Sequence, residues 1–180
     1  MTEPLPFGLE AEIVLLLSSP EHRYEGRPKD GPLPRTSREV QESIEIRAEL
    51  GIVGDRFFNQ PAHRLAAVTV MAAESVDTIA ADLGLSSVPQ LADTRRNILL
   101  RGVDVDALRG ATFSLDSGDG PVTFLANRPA NPCAWMDEML APGAFKALRK
   151  HGGMRCTPLS SGILRLGPAV FRSSVLAARV

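Results

Sequence analysis

The sequence predicts a mainly β chain, a closed or nearly closed β-barrel with a few helices inserted between its strands. Three observations lead there. Short apolar runs bounded by turn residues recur from one end of the chain to the other. Gly 15 and Pro 14 among 180 residues supply the turns that short elements need and disfavour a long helical bundle. Helical spacing appears only in isolated stretches, so the regular strand–helix alternation of a doubly wound sheet is excluded. Strands without such helical cover remove their free edges by closing on themselves.

Residues 11–18 form an apolar run that reads as a buried strand. A polar, turn-rich arm follows over 20–36, with Gly26, Pro28, Gly31, Pro32 and Pro34, and reads as a surface loop or lid. Over 40–50 the apolar residues Val40, Ile44, Ile46, Ala48 and Leu50 fall on alternate positions, with Glu42 breaking the row. That period of two predicts a half-exposed strand. Residues 65–71 are a further strand candidate. Over 72–85 the period changes: Ala72, Val76, Ile79, Ala80 and Leu83 sit at helical spacing, and Gly84 is placed to stop the helix. Short strands are predicted at 97–100, 112–115 and 122–126, separated by Gly110 and by the turn Ser117-Gly118-Asp119-Gly120. Two short helices, 132–140 and 143–150, break at Pro142 and end at Gly152-Gly153. From 154 to 180 the chain returns to strands, with Gly162 and Gly167 as turn points.

Forty-four per cent of the residues are apolar and 23% charged, which suffices for a buried core in one domain spanning 1–180. The net charge of −1 offers no basic excess for a nucleic-acid backbone, and aromatics at 5% are too few for base-stacking platforms. No nucleic-acid partner is therefore expected. The apolar stretch 13–17 is too short for a membrane span, so no membrane association and a cytoplasmic location are expected. Cys133 and Cys156 form no C-x-x-C pair, and His22, His63 and His151 are scattered without zinc-ligand spacing. Arginine supplies 17 of the 20 basic residues. Composition bias accounts for most of that excess, but planar guanidinium forks also suit phosphate and carboxylate.

The sequence carries no nucleophile elbow, no H-E-x-x-H, no phosphate-binding P-loop and no dinucleotide fingerprint. Four other segments stand out. Gly51-Ile52-Val53-Gly54-Asp55-Arg56 is a glycine-tightened turn after a strand that delivers an Asp-Arg pair. Thr94-Arg95-Arg96-Asn97-Ile98 places a hydroxyl, two guanidinium groups and an amide before a strand. Arg128-Pro129-Ala130-Asn131-Pro132-Cys133 ends in a cysteine, and Gly152-Gly153-Met154-Arg155 is a close-approach turn. Each has a plain structural reading: glycines for positive φ, arginines balanced by Asp93, Asp104 and Asp106, and Cys156 as a small buried hydrophobe. Cys133 follows a proline at an expected helix start, where free N–H groups favour a thiolate able to attack a sulfur donor, hold a persulfide or bind a soft metal. On residues alone, the inert reading of Cys133 keeps a slight edge over these roles.

In this order and at these spacings, the four segments resemble a MOSC domain, the module named from the C-terminal part of molybdenum cofactor sulfurases. The similarity runs over about 37–168. It rests on the G-I-x-G-D-R turn, on T-R-R-N-I-L-x-R-G-V-D with a following G-x-x-F, and on R-x-x-x-P-C. The stretch Pro132-Cys133-Ala134-Trp135-Met136-Asp137 with Pro142-Gly143-Ala144-Phe145 is similar to the small stand-alone bacterial members. The resemblance implies a MOSC-type barrel binding the molybdenum cofactor (molybdopterin), a pterin dithiolene ending in a phosphate, with no pyridoxal phosphate in this chain. It implies that Cys133 is the molybdenum ligand or the sulfur acceptor. Arg56, Arg96 and Asn97 then correspond to residues that hold the pterin and its phosphate, joined by Arg64, Arg128 and Asn131. The expected activity is reduction of an N-hydroxylated small-molecule substrate, with electrons from a donor protein. One alternative is a sulfur carrier loaded on Cys133 by a cysteine desulfurase for delivery to a metal–sulfur centre. Another is a non-catalytic module that binds a different phosphorylated ligand.

The geometric expectation is specific. Cys133 is to face a concave pocket shared with Arg56, Arg96 and Asn97. Arg95 is to point elsewhere, because neighbours at a strand start face opposite sides, and Cys156 is to be buried.

Overall fold

The computed structural model describes residues 5–177. Its strands are β1 (Phe7–Leu17), β2 (Val40–Gln41), β3 (Ser43–Arg47), β4 (Gly51–Ile52), β5 (Val68–Ala72), β6 (Ile98–Arg101), β7 (Thr112–Asp116), β8 (Val122–Pro129), β9 (Met154–Pro158), β10 (Gly162–Arg165) and β11 (Gly167–Ser173). Three short helices interrupt them: α1 (Glu74–Asp82), α2 (Trp135–Met139) and α3 (Ala144–Ala147). Seven strands close into a mixed barrel in the order β11-β7-β8-β9-β5-β6-β1, with β1 pairing back onto β11 and β2 added beside β1. All neighbouring strands run antiparallel except β5 and β6. The parallel pair exists because α1 carries the chain back between them, as a parallel connection requires. The small sheet β10-β3-β4 lies apart in pairing.

Alternation along the strands sorts side chains into two apolar layers. Val68, Val70, Ile98, Leu100, Phe113, Phe124, Cys156 and Phe171 point inward and fill the barrel, and Ile44, Ile46 and Leu164 of the small sheet join that core. Phe113 stacks on Phe124 and Phe171 at centroid distances of 5.2 and 5.8 Å. These side chains fill the barrel interior. Met71 and Leu99 point outward from the same strands and meet Val76 and Ile79 of α1, Trp135 and Met136 of α2 and Ala144 of α3. A register shift between Ile13 and Leu15 lets β1 serve both layers, with Ile13 and Leu16 inward and Leu15 and Leu17 outward.

The predicted elements recur with shifted ends. β1 starts at Phe7, ahead of the apolar run, because its first half pairs with β11, with Leu9 and Ala11 turned toward the core and Glu10 and Glu12 away from it. The expected strand at 40–50 divides where Glu42 breaks the row: β2 pairs with β1, and β3 with β10 and β4. Residues Pro61–Ala66 form a 3-10 turn opened by proline, so β5 begins at Val68, later than the apolar pattern predicts. Gly51 belongs to a strand pair and not to a turn. The last three residues of the predicted 154–180 strand region lie outside the described residues. Among the described residues, no helix is long and apolar enough to cross a membrane.

Candidate functional site

A cavity of about 340 Å³ opens on the outer side of the barrel wall, where the end of β1 and the approaches to β5, β6 and β9 meet the segment before α2. That volume lies at the lower end of the range for small-molecule sites. Cys133, Arg56, Arg96 and Asn97 all line it, together with Asn131. The packing that brings them together begins at two glycines. A Cβ on Gly152 would lie 2.3 Å from the Ala130 carbonyl oxygen, and one on Gly153, whose φ is +81°, 2.1 Å from that of Val70. Only glycine lets β9 and the 130–133 loop approach so closely.

Arg96 holds that approach in place. Its Nε donates to Gly152 O at 2.9 Å, Nη2 to Ala130 O at 2.7 Å and Nη1 to Thr94 O at 3.2 Å. Burial pulls its guanidinium down to about 10, against the opposing influence of neighbouring Cys133. Asn97 is equally committed. Its Oδ1 accepts from Thr69 N and Oγ1, and its Nδ2 donates to Leu17 O and Asp55 Oδ2. The amide has two donors and one acceptor oxygen, and all have protein partners. Asn97 shapes the cavity wall, and its side chain keeps no donor for a ligand.

Asp55 is the floor of this network. Its carboxylate accepts from Ser19 N at 3.2 Å, Phe57 N at 3.0 Å and Asn97 Nδ2 at 3.2 Å. Burial still pushes its carboxyl above the ordinary range, because the desolvation cost exceeds what those donors and the Arg56 and Arg95 charges return.

Among the cavity arginines, Arg56 and Arg95 carry buried donors without a partner. Arg56 makes one side-chain hydrogen bond, Nη1 to Glu21 O at 3.0 Å, and lies 4.5 Å above the Phe57 ring. Arg95 pairs through Nη1 with Glu39 at 2.8 Å. Arg56 Nε and Arg95 Nη2 are buried with no hydrogen-bond partner. Each guanidinium has five N–H donors, and an unmet buried donor costs about 1–3 kcal/mol or more when charged. An oxyanion in the cavity is the group that would satisfy such donors.

Arg95 corrects the expectation that it points away from the site. Arg95 does not open a strand, since β6 begins only at Ile98. Arg95 instead follows the 3-10 turn Leu91–Thr94 in the left-handed conformation, φ 58°, which swings its side chain to the cavity beside Arg96. Arg64 and Arg128 are left outside the cavity lining. Arg64 sits exposed on the Pro61–Ala66 turn, where only its carbonyl is used, by Thr157 Oγ1. Arg128 lies exposed on β8 just beyond a register shift and faces Arg155 of β9 across the sheet.

Cys133 is exposed and lines the cavity, two residues ahead of α2, with its carbonyl accepting from Met136 N at 2.9 Å. Cys156, as expected, is fully buried in the barrel core, where burial pushes its thiol far up. Among the described residues, no group of three His, Cys, Asp or Glu is placed to hold a metal ion.

Several lining residues escaped the sequence reading. Arg155 comes from the Gly152-Gly153 segment, and its outward position on β9 follows from Met154 and Cys156 pointing in. Tyr24 and Trp135, the only tyrosine and tryptophan in the chain, stack at 4.9 Å and 12° over one side of the cavity. Their singularity was the available signal. Glu39, buried behind Arg95 and not itself in the lining, carried none.

No family model matches the chain, and no curated protein matches it in sequence. Solved structures do match in fold. The YuaD protein of Bacillus subtilis superposes with a TM-score of 0.69 at 15% identity, covering 94% of this chain and 99% of that one. YiiM of Escherichia coli gives 0.58 at 14%, covering 94% and 73%. The chain shares their fold.

Proposed function

We propose that the chain is a MOSC-type protein that binds the molybdenum cofactor in this cavity and reduces an N-hydroxylated small molecule. One observation carries the proposal: an exposed thiol and two under-committed guanidinium groups line a single cavity built by the four resembling segments. The donor set fits the cofactor. Cys133 is a soft ligand for molybdenum. Arg56 and Arg95 suit a terminal phosphate, with Arg155 and Asn131 beside them. Bound there, the cofactor supplies two-electron oxygen-atom transfer, the chemistry that converts an N-hydroxyl compound to its reduced form.

The chain's own residues bind and orient. Arg96 and Asn97 fix the walls, Arg56 and Arg95 neutralise the anion, and the Tyr24–Trp135 stack supplies a flat apolar wall. Electrons come from a partner protein, since the sequence carries no flavin, haem or iron–sulfur signature.

The test is metal and pterin analysis of protein made in a host competent for cofactor synthesis. Near-stoichiometric molybdenum and pterin are expected in the wild type. Cys133→Ser should lose the metal, and Arg56→Ala with Arg95→Ala should lose the pterin too. Wild-type protein that holds neither, even after reconstitution, would overturn the proposal. If it instead gains one sulfur on Cys133 when incubated with a cysteine desulfurase, the sulfur-carrier alternative takes its place.

A further inference from the structure

The arm at 20–36 lies against the cavity, and a single buried carboxylate joins the two. Glu39 is 3% exposed. Its Oε1 accepts from Ser19 Oγ at 2.6 Å, and its Oε2 is shared by three guanidinium groups: Arg95 at 2.8 Å, Arg35 at 3.3 Å and Arg23 at 3.5 Å. Two of those arginines belong to the arm, and the third is the cavity arginine with an unpartnered nitrogen. One carboxylate oxygen cannot saturate three guanidinium groups, so each competes for it. A second tie runs in parallel. Tyr24 of the arm stacks on Trp135, donates its hydroxyl to Asp93 O at 2.7 Å, and lies under the Arg95 guanidinium at 5.6 Å.

We propose that Glu39 is a positioning residue that couples docking of the arm to anion binding at Arg95. With the arm docked, Arg23 and Arg35 share the Glu39 charge, and Arg95 is held through Nη1 alone with the rest of its fork left for an anion. With the arm undocked, Glu39 has only Arg95 to pair with and draws the fork away from the cavity. By linkage, an anion on Arg95 favours the docked arm by the same factor by which the docked arm favours the anion. The inference rests on the cavity taking an oxyanion, but not on which molecule carries it.

The experiment uses the full chain and inorganic phosphate. Two signals report the arm: fluorescence of Trp135, the single tryptophan stacked on the single tyrosine, and trypsin cleavage after exposed Lys29. Phosphate should alter the fluorescence saturably and slow cleavage at Lys29. Arg35→Ala, at a half-exposed position, should speed that cleavage and weaken phosphate binding about tenfold, with Arg35→Lys restoring both. Glu39→Gln should do the same, and if that variant does not fold, the Arg35 pair decides alone. Wild-type protein that binds phosphate while Arg35→Ala binds it equally well would refute the coupling and leave the oxyanion site standing. So would binding without protection of Lys29. Absence of phosphate binding to the wild type would remove the coupling and the oxyanion site together.

Discussion

Replacing Arg96 by lysine separates a clamp from a ligand fork. Arg96 donates to three backbone carbonyls at 2.7–3.2 Å, joining the 3-10 turn before it to the Ala130 loop and the Gly152 turn. A lysine ammonium in that space can serve one of the three. Each hydrogen bond from a charged donor contributes about 1.5–3 kcal/mol, so losing two costs about 3–6 kcal/mol. Against a domain stability of about 5–15 kcal/mol, that is a large share. With a urea m-value of about 2 kcal/mol/M, the midpoint should fall by about 1.5–3 M. The assay is equilibrium urea unfolding followed in parallel by Trp135 fluorescence and far-ultraviolet circular dichroism, with phosphate affinity measured on the folded variant. Affinity should change by less than about threefold, since Arg56 and Arg95 carry the free donors. A midpoint shift below about 0.5 M together with loss of phosphate binding would refute this division of labour.

Gly153→Ala should destabilise by more than about 3 kcal/mol, because the added methyl meets Val70 O and Met71 while the backbone stays at positive φ; thermal unfolding reads this directly, and a melting temperature within about 2 °C of wild type would contradict it. Acid should undock the arm through Glu39. Although burial raises its carboxyl, hydrogen bonds from Ser19 and Arg95 and the charges of Arg95 and Arg23 outweigh that and hold it below the ordinary value. A depressed carboxylate contributes stability above its unfolded pKa of about 4.3 and loses it as pH falls through the lower folded value. Asp55 and Asp93, both raised by burial, take up their protons at higher pH and bind them better in the folded state. The Trp135 fluorescence change should therefore form a separate acid step below about pH 4, and Glu39→Gln should abolish it. A step that persists in that variant would assign it elsewhere.

How much of this was legible before folding follows from the range over which each signal acts. The period-two placement of Ile44 and Ile46 and the helical spacing of Val76, Ile79 and Ala80 are local, and such signals determined the elements and the barrel class. Steric demand at Gly152-Gly153 is also written locally, since only glycine permits such contact. The four segments around Cys133, Arg56, Arg96 and Asn97 were legible as a group, and the cavity does unite them. What each guanidinium does was not. Arg95 and Arg96 are adjacent and chemically identical in sequence. Only the left-handed turn at Arg95, and the carbonyls of Ala130 and Gly152 arriving from more than thirty residues away, make one a site donor and the other a clamp. Glu39 shows the same limit: Arg35 is four residues away, but Arg23 and Arg95 reach the same carboxylate only through tertiary packing. Periodicity reports which face of an element is buried, whereas the partner of a buried charge depends on which distant loop desolvates it, and that is decided only when the barrel closes.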